Sequence, residues 1–173
     1  MSVETWKEEF YPKHAAAVEA SPVKCTQHSL RKWRGLLQAN LDAHEVQYTS
    51  RGIVDRVKPD QLPGQYFRVF TGFECALCLF AEGEESSKER LYSYPITEAM
   101  DRELPDGVLM EDHLEGQGLC AYCPLFRANG VSCDDDDSPY VKAGYGDPTE
   151  MIEALELALI EARKMRRKRK KNG

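Results

Sequence analysis

The sequence predicts an α+β fold in three parts: helices over residues 1–64, a small cysteine-bearing module with short strands over 65–146, and a long helix with a basic tail over 147–173. Three observations carry that reading. Apolar residues recur at helical spacing near the start and again near the end, two C-x-x-C turns bracket the middle, and aromatic and β-branched residues gather just ahead of the first turn. At 173 residues the parts fit one compact domain.

The first helix is expected from Ser2, a capping residue, with Trp6 and Phe10 four apart on one face and Tyr11-Pro12 as the interruption. Residues 14–20 are alanine-rich and predict a second helical piece ending at Ser21-Pro22. A third, over 25–39, is drawn from the spacing of Leu30, Trp33, Leu36 and Leu37, with a short helical piece at 40–44. Residues 48–64 hold Gly52, Pro59 and Pro63 without lasting periodicity, which predicts a connector.

In the middle, Phe67, Val69 and Thr71 alternate against Tyr66, Arg68 and Phe70, predicting a strand that leads toward Cys75. A charged loop over 81–90, strands at 91–94 and 108–110 and a short helix at 97–103 follow. The last helix has the clearest start. Asp147 can cap it, Pro148 suits its first position, and Glu150 stands three after Asp147. Met151, Ile152, Leu155, Leu159 and Ile160 supply its apolar stripe, and the basic cluster at its end opposes the negative pole of the helix dipole.

No run of about 18 apolar residues is present for a membrane span. Residues 1–10 mix acids with Trp6 in place of a basic and then apolar leader, so the expected location is the cytoplasm. A reducing compartment leaves close-spaced thiols as metal ligands or redox groups. Cys75-Ala76-Leu77-Cys78 and Cys120-Ala121-Tyr122-Cys123 each aim two thiolates at one ion, and two such pairs complete the tetrahedron of a structural zinc. The module is therefore expected to be zinc-centred on Cys75, Cys78, Cys120 and Cys123, with Cys133 as a substitute ligand. The 41 residues between the pairs make a long insert, but closure entropy rises by only about 0.6 kcal/mol per doubling of loop length.

Two other chemistries compete for these cysteines. An iron–sulfur cluster is suggested by Cys123-Pro124, but ferredoxin-type sites crowd three cysteines into one short run, which is absent. A thioredoxin-like pair needs its C-x-x-C at the start of a helix after a strand. Cys25 beside His28 reads as a small apolar residue next to a partly buried imidazole. The acidic run 134–137 lacks the alternating spacing of a calcium loop and reads as solvated.

Charge is unevenly spread. The overall balance is -6, yet the tail from Arg163 through Lys171 carries eight Lys or Arg, leaving 15 basic against 29 acidic residues elsewhere. The tail can hold nucleic acid through its phosphates, and the acidic body can meet a basic host protein or protein complex by electrostatic complementarity.

Asp112-His113 followed by Gly118-Leu119-Cys120 resembles the Asp-His and Gly-Leu-Leu-Cys-x-x-Cys segment of recombination endonuclease VII in the His-Me nuclease group. That likeness implies His113 as general base and Asp112 as its orienter or a metal ligand, with zinc purely structural. A second likeness covers about the middle two-thirds of the chain. His28-Ser29-Leu30-Arg31-Lys32-Trp33, then the first C-x-x-C, then Cys120-x-x-Cys123-Pro124-Leu125, Gly130, Cys133 and Ser138-Pro139-Tyr140 resemble, in that order, a group of small phage and prophage proteins. The resemblance implies a phage-encoded zinc protein working in the bacterial host cytosol, with the five central cysteines at or near the metal and no enzyme activity. The leading expectation is thus a non-enzymatic, zinc-stabilised interaction protein, and the alternative a nuclease acting through His113.

Overall fold

The computed structural model describes residues 2–12, 21–49, 52–56, 75–85, 120, 123–133, 135–144 and 147–172. Among them the elements run α1 (Val3–Phe10), α2 (Pro22–Arg34), α3 (Gln38–Ala43), β1 (Val46–Thr49), β2 (Gly52–Asp55), α4 (Ala76–Glu85), α5 (Pro124–Asn129), α6 (Pro139–Gly144) and α7 (Thr149–Asn172). The architecture is mixed, with helices around a small two-stranded antiparallel sheet and a long C-terminal helix.

The core is organised on α2, which packs against α1, α4, α5 and α7. Ser21 caps it by accepting from the Lys24 N–H at 3.3 Å, and Pro22 occupies the first turn, where its missing N–H costs nothing. Val23, Cys25, Leu30 and Trp33 are all buried on it. The helix stops at Arg34, short of the expected residue 39, and the chain turns through Gly35 into α3. Gly35 is where α1 docks. A Cβ there would lie 2.6 Å from Phe10 Cγ and 2.7 Å from Trp6 Cζ2, and the Trp6 indole donates to the Gly35 carbonyl at 2.9 Å.

The sheet corrects the expectation of a connector over 48–64 at residues 48–49 and 52–55, while 57–64 lie outside the described residues. Val46 pairs with Asp55 and Tyr48 with Ile53, and Val46, Ile53 and Val54 are buried. Four-residue strands are too short for periodicity to stand out, but burying Val46 and Ile53 on the face that joins the core stabilises them. Asp55 then accepts the first N–H of α1, from Val3, at 2.6 Å, which ties the hairpin to the N-terminal helix.

α7 starts at Thr149, with the Asp147 carboxylate accepting the Thr149 N–H at 2.9 Å, close to the expected start. Of its expected stripe Met151, Leu155 and Leu159 are buried and Ile152 partly so, but Ile160 is 47% exposed, and Ala154, Ala158 and Ala162 complete the buried face. Small alanines let α7 approach α2 and α5 closely, so alanine rather than isoleucine marks the packed face. Asn129 fastens α5 to it by donating to the Ala154 carbonyl at 3.4 Å. The expected pieces at 14–20, 65–73, 91–94, 97–103 and 108–110 lie outside the described residues.

Candidate metal centre

Residues 81–85 continue a helix where a charged loop was expected, and that helix sets the first cysteine pair. Ala76, Leu77, Phe80 and Ala81 form a buried face that packs α4 on α2. Cys75 stands immediately before the helix, its carbonyl accepting the Leu79 N–H at 3.1 Å, and Cys78 lies in the first turn. Both thiols are therefore partly buried at the positive end of a ten-residue helix, which favours negative sulfur.

The second pair is closed by the Cys123 N–H, which donates to the Cys120 carbonyl at 2.9 Å. Cys123 is the N-cap of α5, Pro124 fills the first helical position, and buried Leu125 and Phe126 anchor the turn. Gly130, at φ 75°, ends α5 in the left-handed conformation that glycine adopts without strain.

The chain then folds back along the cysteines. Asp135 accepts the Ser132 N–H at 2.8 Å, and the Ser132 hydroxyl lies 3.3 Å from the Cys120 sulfur. Ser138 donates to the Cys133 carbonyl at 3.0 Å and accepts the Val141 N–H at 3.1 Å, so one hydroxyl both holds Cys133 and caps α6. The Asp135 carboxylate is thus used in a turn.

The thiols act on one another electrically. A hydrogen bond from Cys78 holds the Cys75 thiol below its ordinary value against the opposing effect of burial, and the positive charge of Lys32 helps. Cys78 is pushed up by that same hydrogen bond, then by burial and by the charges of Cys75, Cys123 and Cys133. Burial pushes Cys123 up to about 12, with Cys75 and Cys120 adding to it. The Tyr140 hydroxyl is raised first by burial and then by Cys75, Cys133 and Cys78. Loops far apart in the chain therefore deliver Cys75, Cys78, Cys120, Cys123 and Cys133 to one neighbourhood. As placed, no three His, Cys, Asp or Glu side chains among the described residues converge on a single metal-holding point. The donor set nevertheless suits a soft divalent ion, since thiolates that repel when bare are stabilised by coordination.

Two further residues lie near the cysteine pairs. Cys25, read from the sequence as a small apolar residue, is indeed fully buried, donates to the Pro22 carbonyl at 3.2 Å and is raised to about 12 by burial, with Cys75 contributing. Lys32 is buried beside it on α2. The i, i+3, i+4, i+7 spacing of Cys25, His28, Ser29 and Lys32 placed them on one helix face, which was the available signal. His113 and Asp112 lie outside the described residues, as do Ala121 and Tyr122.

Beyond Ala162, the described side chains of α7, Arg163, Lys164, Arg166 and Arg167, are all exposed. Among the described residues no helix is long and apolar enough to cross a membrane. No family model, no curated protein and no solved structure matches the chain.

Proposed function

We propose that the chain is a zinc-stabilised interaction protein. Cys75, Cys78 and Cys123, with Cys120 or Cys133 as the fourth thiolate, would hold one zinc ion that fastens α4 to α5 and the turn beyond it. The carrying observation is that α4 and α5, both packed on α2, set the Cys75–Cys78 turn near the Cys120–Cys123 turn and Cys133, close enough for charge on one sulfur to bear on another. Zinc would supply the positive charge that lets these buried thiols ionise together, at a gain on the order of 10 kcal/mol in small modules.

The basic end of α7 is the contact arm in this reading. Ten residues from Arg163 to Asn172 continue the helix for about 15 Å past Ala162, and the four of them whose side chains are described are exposed. Eight of those positions are Lys or Arg, so a phosphate-rich partner such as a nucleic-acid complex relieves their repulsion, while the acidic body suits a basic host protein. The order of motifs resembling small phage and prophage proteins supports a setting in bacterial cytosol. Elemental analysis of the purified chain is expected to find one zinc per molecule, falling well below that in Cys75→Ser. Equal metal content in the two would sink the reading.

A redox pair is the second reading, favoured by Cys75 standing at the N-terminus of α4 with its thiol lowered and hydrogen-bonded to Cys78. It would exchange with a partner disulfide, reducing that bond while Cys75 and Cys78 join in one. Mass analysis after incubation with a glutathione redox buffer separates the two, because the zinc reading predicts thiols that stay reduced and protected from alkylation until metal is removed.

A further inference from the structure

Leu157 and Ile160 on α7 are the most exposed large apolar side chains among the described residues, at 55% and 47%. They stand three apart, on the side of the helix turned away from the buried row of Met151, Ala154, Leu155, Ala158, Leu159 and Ala162. Continued in alternating steps of four and three, their row reads Glu150, Glu153, Leu157, Ile160, Lys164 and Arg167, and every one of these is exposed. That alternation is the repeat of a coiled-coil seam. The apolar pair sits at its centre, with acids toward the helix start and bases toward the helix end.

We propose that this face is the contact between two copies of the chain, with their α7 helices antiparallel about a two-fold axis. An axis midway between residues 157 and 160 sets Leu157 against Ile160 of the partner subunit, Glu153 against the partner's Lys164, and Glu150 against the partner's Arg167. Symmetry repeats each pair, so one choice of axis matches every position of the row. A parallel pairing would set acid against acid and base against base, and would lay the two basic ends, each with eight Lys or Arg from Arg163 through Lys171, side by side. The antiparallel arrangement points those ends away from each other. Within one copy Glu150 pairs with Lys142 at 3.2 Å and Lys164 with Glu161 at 2.6 Å, but surface pairs of this kind contribute little and exchange readily. The row runs about 25 Å along the helix and has two apolar side chains per copy, which makes a small contact and a weak dimer. The dimer depends on neither metal nor nucleic acid.

Sedimentation velocity of the full chain, freed of nucleic acid and followed over roughly 1 μM to 1 mM, reads the association directly. The native chain is expected to pass from monomer to dimer within that range. Leu157→Ser removes the apolar centre and should weaken the dimer at least about 10-fold. Glu153→Lys and Lys164→Glu should each weaken it about 10-fold, because each turns two symmetric attractions into repulsions. The double variant carrying both charge changes restores opposite charges across the antiparallel axis and should associate nearly as the native chain does. All three positions are exposed, so the circular dichroism of every variant should match the native spectrum. A chain that stays monomeric to the top of the range, or a dimer that none of the single changes weakens, overturns the proposal. So does a double variant that associates no better than the single ones.

Discussion

Gly35 shows how a single hydrogen atom can decide a packing. Its backbone is ordinary right-handed helix, at φ -61°, so glycine is not there for conformational freedom. It is there for space, since Phe10 and Trp6 occupy the volume that a methyl group would need. Gly35→Ala should therefore destabilise the fold by about 1–3 kcal/mol, read as a lower urea midpoint. At the same scale, the paired spacing of Cys75, Cys78, Cys120 and Cys123 was legible, because two C-x-x-C turns are a local pattern. Cys25 and Lys32 were not. Their proximity to Cys75 depends on α2 packing against α4, a pairing of segments about fifty residues apart that no local pattern encodes.

Among the elements, α7 has the most direct account. Its start was legible because capping residues act within one turn, and so were Met151, Leu155 and Leu159 on its buried face, whereas Ile160 was placed there in favour of the alanines that permit close approach. Leu155 is fully buried at the centre of that face, so Leu155→Ala should cost about 2–5 kcal/mol in equilibrium unfolding. The cap has a pH signature. A hydrogen bond from Thr149 lowers the exposed Asp147 carboxyl below its ordinary 3.8, so its contribution is present above that value and lost as pH falls through the lower folded value. Stability measured from pH 6 down to pH 2 should fall less steeply in Asp147→Asn than in the native chain. The β1–β2 hairpin was missed because four-residue strands give periodicity too little length, and only burial against the helices distinguishes them from a loop.

Across the whole molecule, charge is unevenly divided. The residues before Arg163 are acidic on balance and the end of α7 strongly basic, a segregation visible in composition, and the basic residues lie on the last turns of one helix. Removing the residues after Ala162 keeps the described buried face of α7 and, in the proposed reading, should weaken nucleic-acid binding, flattening the slope of log K against log salt by about 0.9 for each phosphate the tail no longer neutralises. Binding that is unchanged in strength and salt dependence would exclude the tail as the contact arm. The central claim lies with the sulfurs. Native mass spectrometry of the intact chain, before and after a strong chelator and paired with far-ultraviolet circular dichroism, tests it most directly. One zinc per chain, removed by the chelator with a loss of helical signal, is the predicted result; a metal-free chain whose spectrum ignores the chelator would contradict it.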